Sequence, residues 1–445
     1  MTILLEEHLG RIASPANLRI NDQIRLLREK CKKIGCSRPY HHFAFGQSPF
    51  PPPPSVINAL SMNAAQHDYL PTAGIEQLRE LIAKYYNLKF NLNCSSKEII
   101  VSPGSKEMIS MILAAVKGSV IIPVPSWVSY LPQAVILKKE VIPIKTEFRN
   151  NFKLTPELLL EGISKSSNFQ KILILNHPHN PTGTMYSKEE LQDIAEICRR
   201  NNVVIIADEI YALTSFKQKS FVSMGEIFPD GTIVTGGLSK DRSAGGYRLG
   251  VGVFPSGQYE LVDDILKIAG STYSCVAAPI QFAAIEAYSM NETVESHIKI
   301  CSEVNAVIGK YVTELFSNIS GIKKSVPQGG FYLLIDFNEN KEQLFNLGIK
   351  DSVNFAETLL QIEHTALLPG DALLVGRENF SFRCSFVDYD GEAALKNWRK
   401  RIPVNKGEED EFVQENCSLM INGVKYIERF IEQIQNDVYP KHFPA

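Results

Sequence analysis

Short, continuously apolar runs alternate here with stretches of helical spacing, and that alternation limits the possible folds more than any other feature. Residues 98–102 (EIIVS), 120–122 (VII), 141–144 (VIPI), 171–175 (KILIL), 203–207 (VVIIA), 232–235 (TIVT) and 249–254 (LGVGVF) read as strands. They lack the polar alternation of a strand with one wet face, so both faces are expected to be covered. Between them, Ile75, Leu78, Leu81, Ile82 and Tyr85 mark one helical face, and Met108, Ile109, Met111 and Ile112 another. Ser187 to Glu190 forms a capping box for a helix that runs to Arg200. The expected class is α/β: a large domain with a mostly parallel seven-stranded sheet covered by helices, plus a smaller α+β domain from both chain ends.

The flanks read differently. Ile20, Ile24, Leu27 and Cys31 have helical spacing, whereas Pro51 to Pro54 cannot lie inside a helix and reads as a stiff connector, or as a docking ligand for another protein. Residues 329–336 and 380–386 read as strands of the smaller unit, the segment NKGEEDEF as a solvated loop, and 424–434 as a helix. The resulting division is 1–65 as an N-terminal segment joining the small domain, 66–320 as the large cofactor-binding domain and 321–445 as the small domain.

Charge and composition exclude several function classes. A net charge of -3 offers no footprint for nucleic acid or an anionic membrane, and no apolar run approaches a membrane span. The acidic N-terminus is unlike a signal peptide. The 8 cysteines are scattered without a C-x-x-C pair, so neither a zinc site nor a redox dithiol is signalled, and a reducing, cytoplasmic setting is expected. Small molecules and a second copy of the chain are the expected partners.

Sites in such sheets form where strands end. At those ends stand Pro103-Gly104-Ser105-Lys106, Pro125-Ser126-Trp127, the run NHPHNPTG with Asn180, Asp208-Glu209-Ile210-Tyr211, and GGLSKDRSAGGYRLG with Ser239, Lys240 and Arg248. A helix start at Gly104-Ser105-Lys106 offers amides and a hydroxyl to a phosphate, and Arg248 a bidentate fork. Asp208, at the end of a buried strand, needs a partner because desolvating a carboxylate is costly. Singly, each has an ordinary explanation: Asp208 could cap a helix, Trp127 could be core, and His177 and His179 could be plain loop residues. Together, a lysine, a buried carboxylate, a phosphate cradle and an aromatic face are the parts that hold pyridoxal 5'-phosphate.

The ordered landmarks Gly46-x2-Pro49, Tyr69-x4-Gly74-x3-Leu78-Arg79, Pro103 to Lys106, Pro125 to Trp127, Asn176-x3-Asn180-Pro181-Thr182-Gly183, Asp208 to Tyr211, Ser239-Lys240, Gly246 to Gly250 and Phe382-Arg383 make the chain resemble the class I/II aminotransferases of the fold type I pyridoxal-phosphate enzymes. The resemblance covers about Phe43 to Val387. It implies that Lys240 forms the Schiff base with the cofactor and moves the proton, and that Asp208 pairs with the ring nitrogen. Asn180 and Tyr211 would bond the ring oxygen, and Trp127 would stack on the ring. Gly104, Ser105, Lys106, Ser239 and Arg248 would hold the phosphate, with Tyr69 reaching the neighbouring subunit of a homodimer. Arg383 would grip the substrate carboxylate beside Gly46 and Asn180.

The implied activity is transfer of an amino group from an α-amino acid to a 2-oxo acid, with no metal. Ser239-Lys240-Asp241 also resembles 1-aminocyclopropane-1-carboxylate synthases, which keeps a lyase or synthase as the alternative. A non-enzymatic cofactor-binding sensor would need a DNA-binding module, for which the residues before the proline tract are too few. Two features stand apart from the pattern. Gly237 occupies a position where relatives often carry a hydroxyl, and no second arginine can be placed opposite Arg383 by motif. The bonds preceding Pro181 and Pro125 are expected to be cis.

Overall fold

The computed structural model describes residues 5–36, 38–217 and 220–436. Its strands, in chain order, are β1 (His41–His42), β2 (Ile99–Ser102), β3 (Ser119–Val124), β4 (Val141–Lys145), β5 (Lys171–Asn176), β6 (Val203–Asp208), β7 (Thr232–Gly237), β8 (Gly250–Val253), β9 (Lys323–Lys324), β10 (Tyr332–Asp336), β11 (Thr365–Ala366), β12 (Leu368–Pro369) and β13 (Ser381–Ser385). The first five α-helices are α1 (Ala16–Ile34), α2 (Pro54–Met62), α3 (Glu76–Phe90), α4 (Ser105–Ala115) and α5 (Tyr130–Ile136).

The apolar runs form one seven-stranded sheet in the order β2-β8-β7-β6-β5-β3-β4. Its pairs are parallel except at β8, which runs antiparallel to both β2 and β7. Alternate residues of each strand feed opposite faces, as the two-residue period of a strand requires. Val101, Ile121, Leu173 and Ile205 pack with Leu78 and Ile82 of α3, while Ile100, Ile122, Ile172 and Ile206 pack with Met108 and Ile112 of α4. Burying one such side chain contributes about 1.5–3 kcal/mol, which is why both faces read as apolar. The register places Asn176 beside Asp208 and Asp208 beside Thr235. β5 and β6 thus finish level at one edge of the sheet, and β7 runs on from Thr235 to Gly237 beside them.

The smaller unit contains an antiparallel sheet, β12-β13-β10-β9, packed through Phe337, Phe355, Phe380 and Phe382. The helix Glu292–Ser317 belongs to both cores: Val294 and Ile298 join the first, and Val304, Ile308, Val312 and Phe316 the second. β1 pairs in parallel with β11, which brings the N-terminal segment beside this unit.

Four local expectations are corrected. The charged segment expected as a loop is the helix Lys406–Asn416, started by the Asn405 side chain accepting from the Glu408 amide and anchored by buried Phe412 and Val413. The proline run is not all connector, because Pro54 opens α2 at a first-turn position that needs no amide donor. The bond before Pro125 is cis as expected, but the second cis bond precedes Pro178 rather than Pro181. Two of the cysteines expected to be separate thiols, Cys31 and Cys36, form a disulfide, because left-handed Gly35 at the end of α1 turns the chain back and sets their Cα atoms 5.0 Å apart. No helix among the described residues is long and apolar enough to cross a membrane, and no metal-binding cluster occurs among them.

Candidate active site

Side chains at these strand ends build one hydrogen-bonded chain. Asp208, 3% exposed, closes β6. The Tyr130 hydroxyl of α5 donates to its Oδ2 at 2.6 Å, and the Ile210 amide to its Oδ1 at 3.4 Å. Burial pushes this carboxyl up to about 6, against the opposing pull of Tyr130 and Ile210. Asn176, closing β5, donates to the Asp208 carbonyl at 2.8 Å and accepts the Asn180 amide at 2.6 Å. Asn180 in turn accepts from Arg383 at 3.2 Å and points its amide at the Tyr211 hydroxyl, 3.5 Å away. Tyr211 and Tyr332 share a hydrogen bond of 2.8 Å, and Tyr332 donates on to the Gly46 carbonyl at 3.3 Å. Lys240 donates to that same carbonyl at 2.8 Å.

The two cations along this chain are held differently. Arg383 is 2% exposed, donates to the Ala44 carbonyl at 2.6 Å and lies 4.7 Å over the Tyr332 ring. Its Nε is buried without a partner, and no carboxylate among the described residues pairs with it. A buried guanidinium without an anion costs several kcal/mol, so its retention points to a ligand carboxylate. Burial, and then the charge of Arg383, lower the Lys240 amine to about 7. Near neutrality, much of Lys240 is therefore a free nucleophile and base.

At the other end, α4 starts at Ser105 with no side chain capping its first turn. Arg248 lies against that start, donating only to the carbonyls of Gly245 and Pro103. Gly104 has φ +91°, and a Cβ there would stand 2.2 Å from the Arg248 Nη2 atom. The glycine is what lets the guanidinium approach the helix. Lys106 reaches over the Trp127 ring at 5.2 Å, its amine lowered by burial and by Arg248. Gly237 is explained in the same terms: its φ is +150°, and a Cβ would meet the Leu249 carbonyl at 2.5 Å, so no hydroxyl-bearing residue fits.

These groups enclose a cavity of about 380 Å³. Every sequence-predicted site residue lines it except two. Gly104 backs Arg248 from behind, and Tyr69 stands on the outer surface, 92% exposed. The cavity also takes Asn176, a landmark of the sequence pattern to which no role was assigned, and residues that sequence reasoning missed: Tyr130 and Tyr332, and from α1 Asn17 and Leu18. Asn176 and Tyr130 each follow a strand that had been recognised, so position was the available signal. The α1 residues carried none.

The sequence pattern of the family described as "Aminotransferase class I and II" matches residues 39–391. The chain belongs to this family. An aspartate aminotransferase of Bacillus sp. strain YM-2 is 32% identical over 335 residues, covering 73% of this chain and 82% of that protein. An asparagine–oxo-acid transaminase of Streptococcus mutans is 32% identical over 310 residues, covering 68% and 75%. Among solved structures, the aspartate aminotransferase of Thermus thermophilus with maleate superposes with a TM-score of 0.77 at 23% identity, over 92% of this chain and 99% of that one. That likeness shows the fold. Membership makes the chain a fold type I enzyme of the pyridoxal-phosphate class.

The residues present fit that cofactor. An uncapped helix start and an unpaired guanidinium suit its phosphate, a buried carboxylate suits a protonated ring nitrogen, and an amine near 7 suits an aldehyde. Only the neutral amine attacks an aldehyde. Capture of pyridoxal phosphate by the apoprotein is therefore expected to accelerate about tenfold per pH unit below neutrality and to level off above the Lys240 value. Because the Arg383 charge helps lower that value, Arg383→Leu should move the break to higher pH in a stopped-flow titration.

Proposed function

We propose that the chain is a pyridoxal-phosphate-dependent aminotransferase that moves an amino group from an α-amino acid to a 2-oxo acid. The observation that carries this is the unpaired, buried Arg383 sharing one cavity with Lys240 and Asp208. The cofactor supplies an aldehyde and an electron-accepting ring. The chain supplies the rest. Lys240 anchors it and moves the proton, Asp208 keeps the ring nitrogen charged, and Asn180 and Tyr211 hold the ring oxygen. Ser105, the Lys106 amide, Ser239 and Arg248 hold the phosphate, Trp127 covers the ring, and Arg383 with Asn180 and Gly46 binds the α-carboxylate. Tyr69, 92% exposed, would reach a second copy in the homodimer that this reading includes.

The donor we propose is acidic. The aspartate aminotransferase relatives carry a substrate of that class in their names. Mixing the loaded enzyme with aspartate or glutamate alone should convert the cofactor stoichiometrically to its amine form. Continuous turnover of the amino acid without an oxo acid would instead establish the lyase or synthase alternative.

A further inference from the structure

α1 is thinly packed for a helix that reaches an active-site cavity. Of its 19 residues only Ile24 is fully buried, with Ala16, Ile20 and Leu27 partly buried against the same apolar cluster. Beside its apolar side chains, Asn17, Asn21, Ile24 and Arg28 follow the four- and three-residue spacing that stacks side chains on one stripe. Ile24 enters a small apolar cluster with Ala44, Leu334 and Leu368. Arg28 pairs with Asp388 at 2.8 Å and donates to the Tyr40 carbonyl at 2.7 Å, fixing the far end. Asn17, at the near end, lines the cavity, and its Oδ1 is buried without a partner.

Between those two ends lies His42. Its Nε2 is 3.2 Å from the Asn21 Oδ1, one helical turn beyond Asn17, and its ring stacks on Phe45, another cavity-wall residue, at 6.3 Å. Burial lowers the imidazole to about 4, so it is neutral at working pH. In that form its Nε2–H can donate to the Asn21 oxygen. Its backbone is fixed independently, since the His42 amide donates to Asp388 Oδ2 at 2.7 Å and β1 pairs with β11. Four residues on, the same segment presents the Gly46 carbonyl that holds Lys240.

We propose that His42 is a positioning residue: by bonding Asn21 and stacking on Phe45, it holds the first turns of α1 over the cavity so that Asn17 meets the substrate side chain. The role for substrate rests on the aminotransferase reading, whereas the pinning of α1 does not. Removing the pin should loosen α1 near the cavity without disturbing Lys240, Asp208 or Arg383. The expected signature is a rise in KM with kcat preserved.

The test compares His42→Ala, His42→Gln and Asn21→Ala in the full-length, cofactor-loaded protein. Gln keeps an amide N–H close to the Nε2 position, so it should restore what Ala loses. Hydrogen exchange of residues 16–24 should quicken about tenfold in His42→Ala and in Asn21→Ala, return towards normal in His42→Gln, and stay unchanged in β5 and β6. KM for the amino donor should rise about tenfold in both alanine variants with kcat within twofold, and the double variant should be no worse than either single one. Unchanged exchange in α1, or effects that add in the double variant, would overturn the proposal. Should His42→Ala fail to fold, Asn21→Ala on the partly exposed helix decides alone. A wild-type protein that shows no half-reaction with any amino acid sinks the aminotransferase reading, and the exchange comparison still judges the pin.

Discussion

Lys240→Ala should abolish the borohydride-reducible bond between the protein and pyridoxal phosphate, and slow any half-reaction with an amino acid by about 10^4-fold, the upper range for a positioned acid–base group. The structure makes this a demanding expectation, because the cavity holds a second lysine. Lys106 also lines the wall, and burial and Arg248 lower its amine as well. Position separates them. Lys240 is held to the Gly46 carbonyl, beside the chain that links Tyr332, Tyr211, Asn180 and Arg383, so it stands next to the proposed substrate carboxylate site and faces Asp208 electrostatically. Lys106 lies over Trp127 and next to Arg248, at the anion end. After borohydride reduction and digestion, the wild-type label should sit on the Lys240 peptide alone. A label that persists in Lys240→Ala, on Lys106 or anywhere else, would refute the assignment.

Much of this site was legible in the sequence for a physical reason. A parallel sheet places every strand's carboxyl end on one edge, so residues at those ends gather without any knowledge of tertiary contacts. Asn180, Asp208 and Lys240 lie far apart along the chain, yet their place after a strand was enough. Residues whose position depends on packing between units were not legible in this way. Tyr332 opens β10, and nothing local says that its hydroxyl meets Tyr211. Asn17 reaches the cavity only because α1 folds back along the smaller unit, through buried Ile24, the partly buried Ala16, Ile20 and Leu27, and polar pins.

The misread helix Lys406–Asn416 shows a different limit. Its acidic first turn and its Asn405 cap were visible, but its two buried residues, Phe412 and Val413, are adjacent and set up no helical period. Choosing between prolines was beyond the sequence too. NHPHNPTG offers two X-Pro bonds, and the cis bond precedes Pro178, in a turn whose buried His177 accepts the Tyr186 amide.

Asp208→Asn should lower the rate of the half-reaction by about 10^2- to 10^3-fold, the usual loss when one preorganised electrostatic partner of the reacting group is removed. A buried carboxylate raised to about 6 is ionised at neutral pH, although burial opposes its charge. Its hydrogen bonds come from the neutral Tyr130 hydroxyl and the Ile210 amide, and no cation among the described residues forms an ion pair with it. A carboxylate kept charged at that cost suits a positive group that the cavity receives, and in the proposed function the ring nitrogen of the cofactor is that group. If Asp208 were only a turn cap, as the sequence also allowed, Asn would replace it well, since both side chains cap turns.

The two readings diverge in what is lost. The electrostatic role predicts a rate loss with the thermal midpoint unchanged or raised, whereas the capping role predicts neither a rate loss nor a change in pH dependence. Tyr130→Phe supplies the graded case. Removing a donor that favours the charged form raises the Asp208 pKa further, so activity lost as pH falls through that value should be lost at higher pH than in the wild type. In Asp208→Asn this acidic limb should vanish. A limb that stays at the same pH in both variants would belong to some other group, and Asp208 would then be the cap that its position first suggested.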